Sequence, residues 1–203
     1  MRPWADMPLG RVSCTVLDCE TTGLDPLADG LVSIAAVRIA DGAMSDVEFE
    51  TLVDPGRSIP IEATTIHGID DAAVAGAPHA SVATQSLADF TGGELLAGQL
   101  VAFDLAFLRA GGFAAGLATL DTLLMSKVLW PAQGVRHNLT ALCGRLGVDE
   151  IGRHTARGDA VMTAQCLLAM GPLLEQRGLR TVGEVSRACE STARARDIAK
   201  RYR

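Results

Sequence analysis

Five side chains in this sequence have the types and spacing to do chemistry together: Asp18, Glu20, Asp104, His154 and Asp159. Asp18 and Glu20 close an apolar segment in which Val12, Cys14 and Val16 alternate with Ser13, Thr15 and Leu17. That alternation predicts a strand from about Arg11, and a strand's period of two puts both carboxylates on one face. Two such charges ~4 Å apart repel by about 4 kcal/mol at an effective dielectric of ~20. A divalent cation with oxygen ligands would offset that repulsion. Two solvated acids in the turn after a strand explain the same pair without a metal. Asp104 and Asp159 each open an apolar helical stretch, where the helix macrodipole favours an acid in any case. His154 stands five residues before Asp159 in a loop. Alone it signals little, although imidazole is the side chain that exchanges protons near neutral pH.

These residues need elements to position them. Leu31 to Ile39 is a nearly continuous, branched apolar run and reads as a central strand. Asp41-Gly42 is a hairpin signal, and Val47, Phe49, Thr51 and Val53 alternate with acids beyond it, giving a three-stranded meander. Short strands are expected at Leu95–Gly98 and Leu117–Leu120. Helical spacing runs over Ser81–Phe90, Phe103–Ala110, Thr122–Leu129 behind an Asp121 cap, Asn138–Leu146 and Asp159–Leu174. Ile66-His67-Gly68-Ile69 reads as irregular, and a last helix starts near Thr181. Strands first, then strands alternating with helices, imply a mixed α/β sheet with helices packed on it.

The joint order of these features is more specific than any one of them. Asp-x-Glu ending the first strand, Phe-Asp opening a middle helix and His-x4-Asp opening a late one resembles the DnaQ-like exonucleases with histidine in the third motif. Asp18-Cys19-Glu20-Thr21-Thr22-Gly23 is similar to the first motif of the proofreading (epsilon) subunits of bacterial DNA polymerase III. Ile66-His67-Gly68-Ile69, Leu120-Asp121-Thr122-Leu123 and Asn138-Leu139-Thr140-Ala141-Leu142-Cys143 echo the same family. The resemblance implies a ribonuclease H-like fold, a mixed five-stranded sheet flanked by helices. It implies an exonuclease domain over 11–175, with 176–203 as a basic helical extension. It further implies two divalent cations, Mg2+ or Mn2+, held by Asp18, Glu20, Asp104 and Asp159, with Asp18 bridging and His154 as general base. The implied reaction is metal-dependent release of nucleoside 5′-monophosphates from the 3′ end of DNA or RNA. Thr21, Thr22 and Leu24 would lie beside the terminal nucleotide, as backbone donors and an apolar wedge, with His67 in a loop that approaches it. The sequence departs from the family at Gln99-Leu100, where many members carry His-Asn. That loss of an amide keeps open a second reading, a weakened module that binds nucleic acid or a partner. RNA trimming is a third.

Composition excludes other classes. Of 203 residues 48% are hydrophobic, which fits a packed core rather than a disordered chain. No apolar run reaches the ~20 residues that span a bilayer, so no membrane partner is expected. Met1 to Gly10 lacks a signal-peptide pattern, and the expectation is a cytoplasmic protein. Five scattered cysteines without a C-x-x-C pair argue against a zinc cluster or disulfide framework. The net charge of -6 argues against a generic nucleic-acid coat. From Arg177 to Arg203, however, eight basic residues face three acids, which suits an anionic partner or simply a solvated helix face. A polymerase or another repair protein is a further partner that the resemblance admits.

Overall fold

In a computed structural model of the chain, describing residues 4–93, 95–114 and 118–201, β1 (Cys14–Thr21) is the hub. It pairs antiparallel with β2 (Leu31–Ala40), which pairs antiparallel with β3 (Ala43–Leu52). On its other side it runs parallel to β4 (Leu96–Gly98), which runs parallel to β5 (Thr119–Asp121). The order β3-β2-β1-β4-β5 is the mixed five-stranded sheet expected from the sequence. Residue 117, where the sequence places the start of the last strand, lies outside the described residues.

Alternation along β1 divides the core in two. Cys14 and Val16 pack with Val37, Ile39 and Ala97 against α4 (Thr122–Leu129), α5 (Leu139–Leu146) and α6 (Ala156–Gln176). Leu17 and Cys19 pack with Ile34, Ala36 and Leu96 against α2 (Ala80–Thr91) and α3 (Val101–Ala110). Asp18 and Glu20 share the parity of Cys14 and Val16, so they leave the strand on the α6 side. Val182, Val185 and Cys189 of α7 (Val182–Arg201) join the first of these clusters. Its start is a capping box: the Glu184 amide donates to Thr181 Oγ1 at 3.3 Å, and the Thr181 amide donates to Glu184 Oε2 at 2.9 Å.

Three elements differ from the sequence reading. The stretch read as irregular around His67 is the end of α1 (Ile61–His67), closed by Gly68 in the left-handed region at φ 76°. Seven residues are too few to show a helical period, so only Gly68 marked it. Helix α6 starts three residues early because Thr155 Oγ1 accepts from the Gly158 amide at 3.0 Å, which places Asp159 inside the first turn. Val47, on the face expected to be inward, is 45% exposed because β3 is an edge strand with a neighbour on one side only. Among the described residues no helix is long and apolar enough to cross a membrane.

Candidate active site

Strand β4 is three residues long and meets β1 at Thr15 and Val16, so β1 runs past it with its last residues paired only to β2. The backbone amide of Cys19 therefore lacks a strand partner. Helix α3 fills the gap: Asp104 Oδ1 accepts from that amide at 3.0 Å. A carboxylate on α3 is thereby tied to the residue between Asp18 and Glu20. From the opposite face the first turn of α6 brings in Asp159. Carboxylate oxygens of Asp18, Glu20 and Asp159 lie within 4.8 Å of one another. Asp104 stands behind them, buried, and adds its charge to the field at Asp18.

Crowding shows in the protonation equilibria. Asp18 is pushed well above the usual carboxylate range by burial, then by Asp104, Asp159 and Glu20, with Arg153 opposing. Burial and then Asp159 push Glu20 up to about 7, again against Arg153. Burial pushes Asp104 up to about 8 although the Cys19 amide and its own amide pull the other way. An oxygen-only donor set of this density fits a hard divalent cation such as Mg2+ or Mn2+ and not a thiolate- or imidazole-seeking one. The raised values also have a consequence for the metal-free protein. Each group holds its proton to a higher pH when folded than when unfolded, so the native state binds more protons and stability falls as pH rises. In EDTA the melting temperature should drop between about pH 4 and about pH 8, the window bounded by the unfolded values and the native values of about 7 and about 8. Mg2+ should reverse the trend, since metal needs the ionised ligands. Thermal melts across pH, with and without Mg2+, check this; a flat profile in EDTA would contradict it.

His154 is exposed and takes the left-handed backbone at φ 64°, a region His visits more readily than most residues. Its amide donates to Asp159 Oδ1 at 3.2 Å, so one backbone bond locks residue 154 to that carboxylate. Gly158 makes the lock possible, because a Cβ there would stand 1.9 Å from the Gly152 carbonyl oxygen. The loop can thus lie directly on the first turn of α6. The sequence reading passed over Gly158; its signal was a glycine directly before an acid at a helix start.

The expected nucleotide-side residues divide. Leu24 is 83% exposed on the loop after β1. Thr21 is half-buried, its hydroxyl donating to the Gly23 carbonyl at 2.6 Å. Thr22 is bonded within its own loop. It is buried, its amide donates to the Gly30 carbonyl at 2.9 Å, and its hydroxyl donates to Asp29 and accepts from the Gly30 amide. Its role is to close the loop. Asp29 is the organiser the sequence reading missed: its carboxylate also accepts from the Asp25 amide, and a Cβ on Gly23 would meet it at 2.3 Å. His67 is buried, with Nδ1 accepting from the Ile69 amide at 3.1 Å. Burial lowers its pKa, with the neighbouring Thr21 backbone pulling it back up.

Position 100 acquires a backbone explanation. Leu100 caps α3 in the left-handed conformation, φ 60° and ψ 42°, and its amide donates to Asp121 Oδ1 at 3.2 Å. Asn tolerates that conformation, while a branched apolar residue is strained there by ~1–2 kcal/mol. Gln99 takes over the side-chain bonding, donating to the His137 carbonyl at 2.7 Å and accepting from Thr122 Oγ1 at 2.5 Å. Leu100→Asn should therefore raise the melting temperature by about 2–4 °C, the shift that ~1 kcal/mol gives a chain of this size. Calorimetry of the two proteins decides it, and a lower value for Asn would show that Leu100 is held by packing instead.

Comparisons with known proteins bear on the family. The exonuclease family model RNase_T matches residues 15–167. A "DNA polymerase III subunit epsilon-like protein" of Rhodobacter capsulatus is 44% identical over 190 residues, covering 89% of this chain and 27% of the relative. The chain thus spans about a quarter of that relative's length. The DNA polymerase III subunit epsilon of Rickettsia typhi is 31% identical over 167 residues, covering 76% of this chain and 72% of the relative. Among solved structures, Exonuclease X in complex with 5′ overhanging duplex DNA superposes with a TM-score of 0.69 at 25% identity, covering 86% of this chain and 98% of that one.

Proposed function

We propose, from the premise that the chain belongs to the RNase_T exonuclease family, that it is a metal-dependent 3′–5′ exonuclease acting on DNA ends. The observation that carries the reading is the meeting of Asp18, Glu20 and Asp159 oxygens within 4.8 Å, with His154 locked beside Asp159. Asp18, Glu20, Asp104 and Asp159 would hold two divalent cations, Mg2+ or Mn2+, which when bound would supply Lewis-acid stabilisation of the charge that develops on the phosphate and the leaving 3′ oxygen. The protein's own residues do the rest. His154, exposed at the rim, accepts the proton of the attacking water. Leu24 packs under the terminal base, and Thr21 and His67 border the sugar. The product is a nucleoside 5′-monophosphate and a strand shorter by one residue.

The epsilon subunits and the DNA complex among the relatives support DNA over RNA and a polymerase or repair partner. Residues 11–175 form the nuclease unit, and 176–203 a basic extension toward an anionic partner. The five buried cysteines form no disulfide among the described residues, in keeping with a reducing cytoplasm. Product analysis tests the reading. Single strands of DNA and RNA, labelled at either end, are incubated with Mn2+ or EDTA. Metal-dependent shortening from the 3′ end supports it, and a faster rate on RNA would redirect it to RNA trimming. Intact strands of both kinds, with folded protein and metal present, would overturn it.

A further inference from the structure

The carboxylate cluster already contains a cation of its own. The guanidinium Nη1 of Arg153 is ion-paired with Asp159 Oδ2, between side chains that are 25% and 11% exposed. The other oxygen of Asp159 accepts from the His154 amide at 3.2 Å. Both oxygens of that carboxylate are therefore engaged. The same Nη1 lies 3.3 Å from His154 Nδ1, and its charge reaches Asp18 and Glu20. Arg153 Nε is also within 3.4 Å of Thr140 Oγ1, which donates to Glu150 Oε2 at 2.9 Å. A second carboxylate thus stands just beyond the first, on the solvent side of the arginine.

From this arrangement we infer that Arg153 is an internal counter-ion that competes with divalent cations for Asp159. It neutralises part of the cluster when no metal is held and must withdraw from Oδ2, toward Thr140 and Glu150, before that oxygen can ligate. Arg153 is a positioning residue acting through Asp159, and it sets the metal concentration at which the site fills. An arginine suits this duty because its planar fork can bridge a carboxylate and a hydroxyl at once and never loses its charge. The inference rests on the proposed metal site. It differs from a purely structural role for the pair, in which Arg153 would orient Asp159 and its removal would weaken metal binding.

The test is Mn2+ binding to the whole chain without nucleic acid, read by calorimetry, together with the melting temperature in EDTA. Arg153→Gln should bind Mn2+ at least fivefold tighter than the unaltered protein, and should melt lower in EDTA because the carboxylates lose their counter-ion. Arg153→Lys keeps the charge but loses the fork, and should fall between the two. It also serves as the probe if the Gln variant does not fold, with at least twofold tighter binding expected. Equal or weaker Mn2+ binding by a folded variant overturns the counter-ion inference while leaving the metal site intact. An unaltered protein that binds no Mn2+ overturns the metal site, and the inference with it.

Discussion

Asp18→Asn should lower metal-dependent 3′ shortening by at least ~10^3-fold and, in EDTA at pH 8, raise the melting temperature. Both effects follow from the position of Asp18. It leaves β1 on the α6 face between Glu20 and Asp159, and Asp104 acts on it from behind. The amide keeps the shape of the carboxylate but carries no charge. Losing one charged ligand forfeits several kcal/mol of transition-state stabilisation, and each ~1.4 kcal/mol is tenfold in rate. The same substitution removes a like-charge repulsion from a half-buried site, which the metal-free protein registers as a gain. Such opposition between function and stability is expected where a site is built to bind charge. Initial rates on a 3′-labelled strand and melts in EDTA measure the two halves. A fall in both would mean that the variant is damaged and that Asp18 is structural.

His154→Asn should lower the rate by ~10^2–10^4-fold, the range of a lost general base, while leaving the Mn2+-induced rise in melting temperature in place. Asn is the informative replacement because residue 154 sits at φ 64°, where Asn is tolerated and Ala is strained. The amide that holds Asp159 Oδ1 is a backbone group and survives the change. The proposed metal ligands therefore stay in place and only the proposed proton acceptor is lost. A rate within a few-fold of the unaltered protein would assign the base elsewhere. Loss of the Mn2+ effect would mean that His154 is needed to hold the ligands.

Much of this site was legible in one dimension because its determinants are local. Alternation from Val12 to Leu17 defines which face of β1 Asp18 and Glu20 occupy, and apolar spacing places Asp104 and Asp159 in the first turns of α3 and α6, although both helices begin three residues earlier. The side-chain types, all hard oxygen donors with one imidazole, state the chemistry without coordinates. The sheet class followed from element order in the same way.

What the linear pattern could not contain is set by packing between segments far apart in sequence. That Asp104 meets β1 depends on β4 stopping after three residues, which opens the Cys19 amide to a carboxylate 85 positions away. Thr22 reads as a donor in a motif, yet the return of the loop to Asp29 and Gly30 consumes its polar atoms. Leu100 reads as a lost amide, yet its left-handed backbone and Gln99's bonds to Thr122 and the His137 carbonyl show where the strain and the bonding went. Only the fold of the 152–155 loop onto α6 brings Arg153 to Asp159. The amino-acid sequence alone determined the element order and the face of β1 that carries Asp18 and Glu20, because periodicity acts within a few residues. Only the tertiary structure decided which backbone groups are satisfied, which loops close and which charge neutralises the cluster, because burial and hydrogen bonding are assigned by neighbours that the chain meets only once folded.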